Sequence, residues 1–113
     1  NSLLSEEMVK DGFASITNVD FSSVVIEDMV RRHPNAIYKL MDVTEEMPFP
    51  NDSFDLIVCK ATMDSVVCSP NNLQKVKMMW MECSRVLGET GALVVVSHAN
   101  PDHRMVYFEA EEF

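Results

Sequence analysis

Hydrophobic and polar positions along the 113-residue chain follow two periods, and short apolar runs alternate with longer helical stripes. Leu3, Leu4, Met8 and Val9 recur at helical spacing, and Gly12 follows where a left-handed C-terminal cap needs a residue without Cβ. The run from Ser15 to Asp20 is rich in β-branched residues and predicts a strand; Phe21, Ser22 and Ser23 then open a helix running to about Arg32. A second strand is predicted from Ile37 to Asp42, again closing on an acid. The run from Phe54 to Cys59 is almost wholly apolar after its first two residues, as in a strand covered on both faces and central in a parallel sheet. From Asn72 to Leu87, the residues Leu73, Val76, Trp80, Cys83 and Leu87 form one helical stripe. Gly88 and Gly91 break it before a valine-rich strand from Ala92 to Ser97, and Pro101 to Phe108 reads as loop passing into a short helix.

Strands alternating with helices imply βαβ crossovers, hence an α/β three-layer αβα sandwich with a mainly parallel sheet. Ligands of such sheets bind beyond the carboxyl ends of the strands. Asp20 and Asp42, 22 residues apart, both fall at such ends. One carboxylate there can accept from a ribose diol while the other takes an adenine amino group, with Phe21 and Val43 offering apolar surface to the ring. Taken singly, Asp20 reads equally well as a helix cap or a solvated loop acid.

Charge narrows the partners. The chain holds 9 Lys and Arg against 18 Asp and Glu, a net charge of −9. Nucleic-acid binding at this size shows a basic face, so direct contact with a phosphate backbone is not expected. No run approaches the roughly 18 apolar residues of a membrane span, and no charged-then-apolar leader opens the chain. A cytoplasmic protein is expected. Cys59, Cys68 and Cys83 suit neither a disulfide framework nor a zinc site, and His33, His98 and His103 have no metal-ligand spacing, so no metal is expected.

At this point four segments carry a resemblance covering most of the chain. They are Asn18-Val19-Asp20-Phe21-Ser22, Met41-Asp42-Val43, the stretch from Met47 to Ile57, and Glu82-Cys83-Ser84-Arg85-Val86-Leu87 leading through Gly91 into the valine strand. Together they resemble a class I S-adenosylmethionine-dependent methyltransferase with its Rossmann-like sheet. The segment Lys60-Ala61-Thr62-Met63-Asp64-Ser65 is similar to one in a methyltransferase-like branch that includes lysine methyltransferases of translation elongation factor 1A.

The resemblance implies S-adenosylmethionine as cofactor and a single, partial methyltransferase domain over residues 1–113. It assigns Asp20 to the ribose hydroxyls, Phe21 beside the adenine, Asp42 to the adenine amino group, Val43 against the ring and Lys60 to the methionine end. Asn1 and Ser2 resemble the tail of the family's glycine-rich loop, whose glycines the chain lacks. The family's first strand, which pairs with the strands ending at Asp20 and Cys59, is missing too, as are the final antiparallel strands. A fragment incomplete at both ends is therefore expected. Unpaired backbone groups in a buried sheet cost roughly 1–3 kcal/mol each, so a chain truly starting at Asn1 should fold poorly or bind no cofactor.

Several residues carry a bland reading beside the sharp one. Lys60 reads as a cofactor contact, a snorkelling surface residue or a partner for Asp64. Asp64, the candidate catalytic residue, can orient an acceptor amine, although a carboxylate also favours the unreactive protonated form. Thr62 reads as a cap on the turn into the next helix, and His33 as facing helix-end carbonyls. Met78, Met79 and Met81 read as core filling around Trp80. Glu109, Glu111 and Glu112 form a solvated acidic end able to attract a basic protein.

The expected function is methyl transfer to a protein lysine, with a translation factor as a candidate substrate. The alternatives are methylation of a small molecule and a non-catalytic nucleotide-binding or interaction module. A nicotinamide dehydrogenase fits less well, because of Asp42 and the Pro-Phe-Pro loop. Acceptor, number of methyl groups and oligomeric state are not encoded in any motif.

Overall fold

The computed structural model describes residues 4–13 and 15–107. The chain forms two compact units, Asn1–Asp42 and Val43–Phe113. Asn1, Glu109, Glu111 and Glu112 lie outside the described residues.

The first unit runs α1 (Leu4–Lys10), β1 (Thr17–Asp20), α2 (Ser23–Arg32) and β2 (Ile37–Leu40). Helix α1 stops where predicted, because Gly12 takes φ +103, a backbone conformation that costs a residue without Cβ little, and donates to the Val9 carbonyl. Ser22 caps α2, its hydroxyl accepting from the Val25 amide at 3.3 Å. β1 and β2 pair in parallel, Thr17 opposite Ile37 and Asp20 opposite Leu40. His33 does not simply face helix-end carbonyls: its Nε2 lies 3.1 Å from the Glu6 carboxylate of α1.

The second unit runs β3 (Leu56–Lys60), α3 (Thr62–Val67), α4 (Asn72–Leu87), β4 (Ala92–Val96) and two 3-10 turns, Pro101–His103 and Met105–Tyr107. β3 and β4 are parallel, Leu56 opposite Ala92 and Lys60 opposite Val96. Its core is built by α3 and α4, with Met63, Val66, Val76, Met79, Trp80, Cys83, Val86 and Leu87 buried. The predicted α4 stripe is buried at Val76, Trp80, Cys83 and Leu87 but not at its first member. Leu73 in the first turn is 68 % exposed and Met81 is exposed, while Met79 is buried beside Trp80. In a helix, 81 lies two positions beyond 79 and so on the opposite side, which decides which methionine packs.

β3 is not central among the described residues: it pairs with β4, and β1 with β2, in two separate two-stranded sheets. The expected strand ends also move. β2 stops at Leu40, two residues before Asp42, and β3 extends one residue further than predicted, to Lys60.

Candidate cofactor and acceptor site

In the first unit, parallel pairing puts Asp20 and the residues after Leu40 at the same, carboxyl, end of the sheet. The Met41 amide donates to the Asp20 carbonyl at 2.8 Å, which carries the ladder to the residue before Asp42. Both acids therefore stand on one rim. Asp20 Oδ1 accepts from the Ser22 amide at 2.9 Å, an Asx-type turn into α2, and among the described residues Oδ2 takes no hydrogen bond. A carboxylate with one oxygen committed to its own turn and the other available is suited to accept from a diol. Phe21, immediately after it, is 75 % exposed, a flat apolar surface offered to a partner rather than to the core. Asp42 is exposed, and the half-buried Val43 begins the second unit.

In the second unit the carboxyl edge of β3 and β4 gathers Lys60, Thr62, Asp64, Ser97 and His98. Lys60 ends β3 and is exposed. Thr62 is not the cap of α3. That position belongs to Ala61, in the left-handed conformation (φ 63), whose amide donates to the Val96 carbonyl at 2.9 Å. A non-glycine residue at positive φ is strained, and the bond to β4 helps hold it.

Asp64 is committed within the chain. Its Oδ1 accepts from the Ser97 hydroxyl and from the Arg104 guanidinium, Nη2 at 3.1 Å and Nε at 3.2 Å. Its Oδ2 accepts from the His98 amide at 2.9 Å. The Ser97 hydroxyl, the His98 amide and Arg104 hold the carboxyl below its ordinary value, against partial desolvation. Asp64 forms an ion pair with Arg104. These bonds join the start of α3 to the loop leaving β4 and to the segment beyond it.

Sequence reasoning missed Ser97 and Arg104, which are 33 and 40 residues from Asp64 and share no local pattern with it. It also missed Glu82, a buried acid on the core side of α4. The signal for Glu82 was visible: Arg85 stands three residues on, within a segment already singled out by resemblance. Among the described residues no three His, Cys, Asp or Glu side chains gather as a metal group, and no helix is long and apolar enough to cross a membrane.

A family model described as a methyltransferase domain matches residues 1–95. The human eEF1A lysine and N-terminal methyltransferase is 37 % identical over 105 residues, covering 88 % of this chain and 15 % of its own length. The mouse EEF1A lysine methyltransferase 4 is 30 % identical over 124 residues, covering 100 % of this chain and 48 % of its own. The chain thus spans about half, or much less, of these relatives. Among solved structures, a SAM-dependent methyltransferase from Methanosarcina mazei superposes with a TM-score of 0.69 at 24 % identity, covering 93 % of this chain and 51 % of that one. A protein from Pyrococcus horikoshii OT3 gives 0.65 at 22 % identity, covering 81 % and 42 %. Those likenesses establish an α/β, Rossmann-like fold. With the family match running through both acid-bearing strand ends and most of the second unit, the chain belongs to the methyltransferase domain family.

Proposed function

We propose that the two units belong to one methyltransferase domain that binds S-adenosylmethionine and serves methylation of a protein lysine, with translation elongation factor 1A as the candidate substrate and the cytoplasm as its compartment. The observation that carries the reading is the placing of Asp20 and Asp42 on one rim of a parallel pair, with one Asp20 oxygen uncommitted among the described residues. The names of the relatives support the acceptor class.

The donor set fits the cofactor. Asp20 would accept from the ribose hydroxyls and Asp42 from the adenine amino group, with Phe21 and Val43 as apolar neighbours of the ring and Lys60 toward the methionine end. When bound, the cofactor supplies a methyl carbon already activated by an adjacent sulfonium. The protein then has mainly to position and to exclude water, and alignment supplies up to roughly 7–11 kcal/mol in the best cases. The acceptor amine must arrive neutral. Asp64, already neutralised by Arg104, would hold the rim in shape without trapping that amine as an ammonium.

The test is calorimetric titration of the full-length protein with S-adenosylhomocysteine, alongside Asp20→Ala and Asp42→Ala. Loss of affinity in both is expected; affinity unchanged in both removes the cofactor assignment. Methyl incorporation into elongation factor 1A, against a version with its lysines blocked, tests the acceptor.

A further inference from the structure

We infer that Glu82 and Arg85 of α4 are positioning residues for cofactor binding, acting through the loop that follows Asp42 and Val43. This rests on the cofactor reading above. The loop over residues 46–52 contains Pro48 and Pro50, which have no amide proton, so it cannot organise itself through a backbone ladder. The Phe49 amide donates to the Met47 carbonyl within the loop, and α4 collects the Met47 amide, the Met47 and Phe49 carbonyls and the Asn51 side chain.

The Met47 amide donates to Glu82 Oε1 at 2.6 Å. Arg85 makes five hydrogen bonds: Nε to Glu82 Oε2 at 2.9 Å, Nη2 to Glu82 Oε1 at 2.8 Å and to the Met47 carbonyl at 2.9 Å, and Nη1 to the Phe49 carbonyl at 2.7 Å and Asn51 Oδ1 at 3.0 Å. The helix end takes the loop's exit, as the Asp52 amide donates to the Arg85 carbonyl and the Phe54 amide to that of Val86. Phe49 and Phe54 stack edge to face inside this turn, at 4.9 Å.

A buried ion pair adds little stability over an apolar pair of similar volume, so its presence calls for a different reason. Here one planar fork reads three loop residues at fixed directions, which neither lysine nor an apolar side chain can do. Met47 is four residues after Val43, a reach of about 13–14 Å at most. Anchoring Met47 therefore restricts where Val43 can go.

The experiment uses the full-length protein and three variants: Arg85→Lys, Glu82→Gln and, as a core control, Val76→Ala. S-adenosylhomocysteine affinity, the ligand-free melting midpoint and hydrogen exchange at the Met47 amide are measured for each. Arg85→Lys and Glu82→Gln should weaken binding about tenfold, a coupling of ordinary size, and speed exchange at Met47. Val76→Ala should melt earlier yet bind like the unsubstituted protein. Glu82→Gln keeps an oxygen for the Met47 amide, so a folded variant is available even if Arg85→Lys unfolds. If the unsubstituted protein binds and both loop variants bind as well as it does, the inference is overturned and the cofactor reading stands. If the unsubstituted protein does not bind, both fall.

Discussion

The Met41 amide donates to the Asp20 carbonyl at 2.8 Å, so the last residue of β1 is bonded to the residue immediately before Asp42. Displacement of one strand end is therefore transmitted to the other acid. Asp20→Asn keeps an oxygen for the Ser22 amide and so separates loss of charge from loss of the turn. Hydrogen bonds to a charged group contribute about 1.5–3 kcal/mol, so removing either carboxylate should weaken S-adenosylhomocysteine binding roughly ten- to hundredfold. Asp20→Asn should show a smaller loss than Asp20→Ala, with an unchanged melting midpoint, by calorimetry and thermal melting on the full-length protein.

Asp64 should behave as a structural latch with a pH signature. Its carboxyl is held below the ordinary value of 3.8, first by the Ser97 hydroxyl, then by the His98 amide, with Arg104 adding to both. Ser97→Ala should raise that value toward the ordinary one, read by carbon-detected titration of the carboxyl. Asp64→Asn should lower the melting midpoint at neutral pH, because it leaves the Arg104 charge without its partner. A proton-transfer role predicts instead a shifted pH profile of kcat with no change in melting.

Glu82 gives the stability curve an acid limb. Its carboxyl lies below its ordinary 4.5, chiefly because of Arg85 and next the Met47 amide, with burial opposing. The unfolded chain therefore takes up the proton first. The pair's contribution is full above about pH 4.5 and is lost as pH falls through the lower folded value. Glu82→Gln should lower stability at neutral pH and flatten its decline below that pH, measured by urea unfolding across the acid range.

The cysteines should divide by accessibility. All three are free thiols, Cys68 exposed and Cys59 on β3 and Cys83 on α4 buried. The Cys83 thiol lowers the Cys59 value by hydrogen bonding while its own is driven up by the same bond and by burial. A maleimide reagent should label Cys68 at once and Cys59 and Cys83 only on unfolding, as followed by mass spectrometry.

What the sequence determined by itself was everything local. The α4 span from Asn72 to Leu87, the alternation of strand and helix, the Gly12 cap and the acids at strand ends follow from periods and caps that short segments carry in full. Tertiary structure decided what depends on distant partners. Leu73 at the start of the α4 stripe was left exposed while Met79 took a core place beside Trp80, and Asp64 gained an ion pair with Arg104, 40 residues away. The reach of Arg85 into a proline-broken loop belongs with these. A helix stripe is written in spacing, but a hydrogen bond between residues tens of positions apart exists only once packing has brought the two groups within about 3 Å.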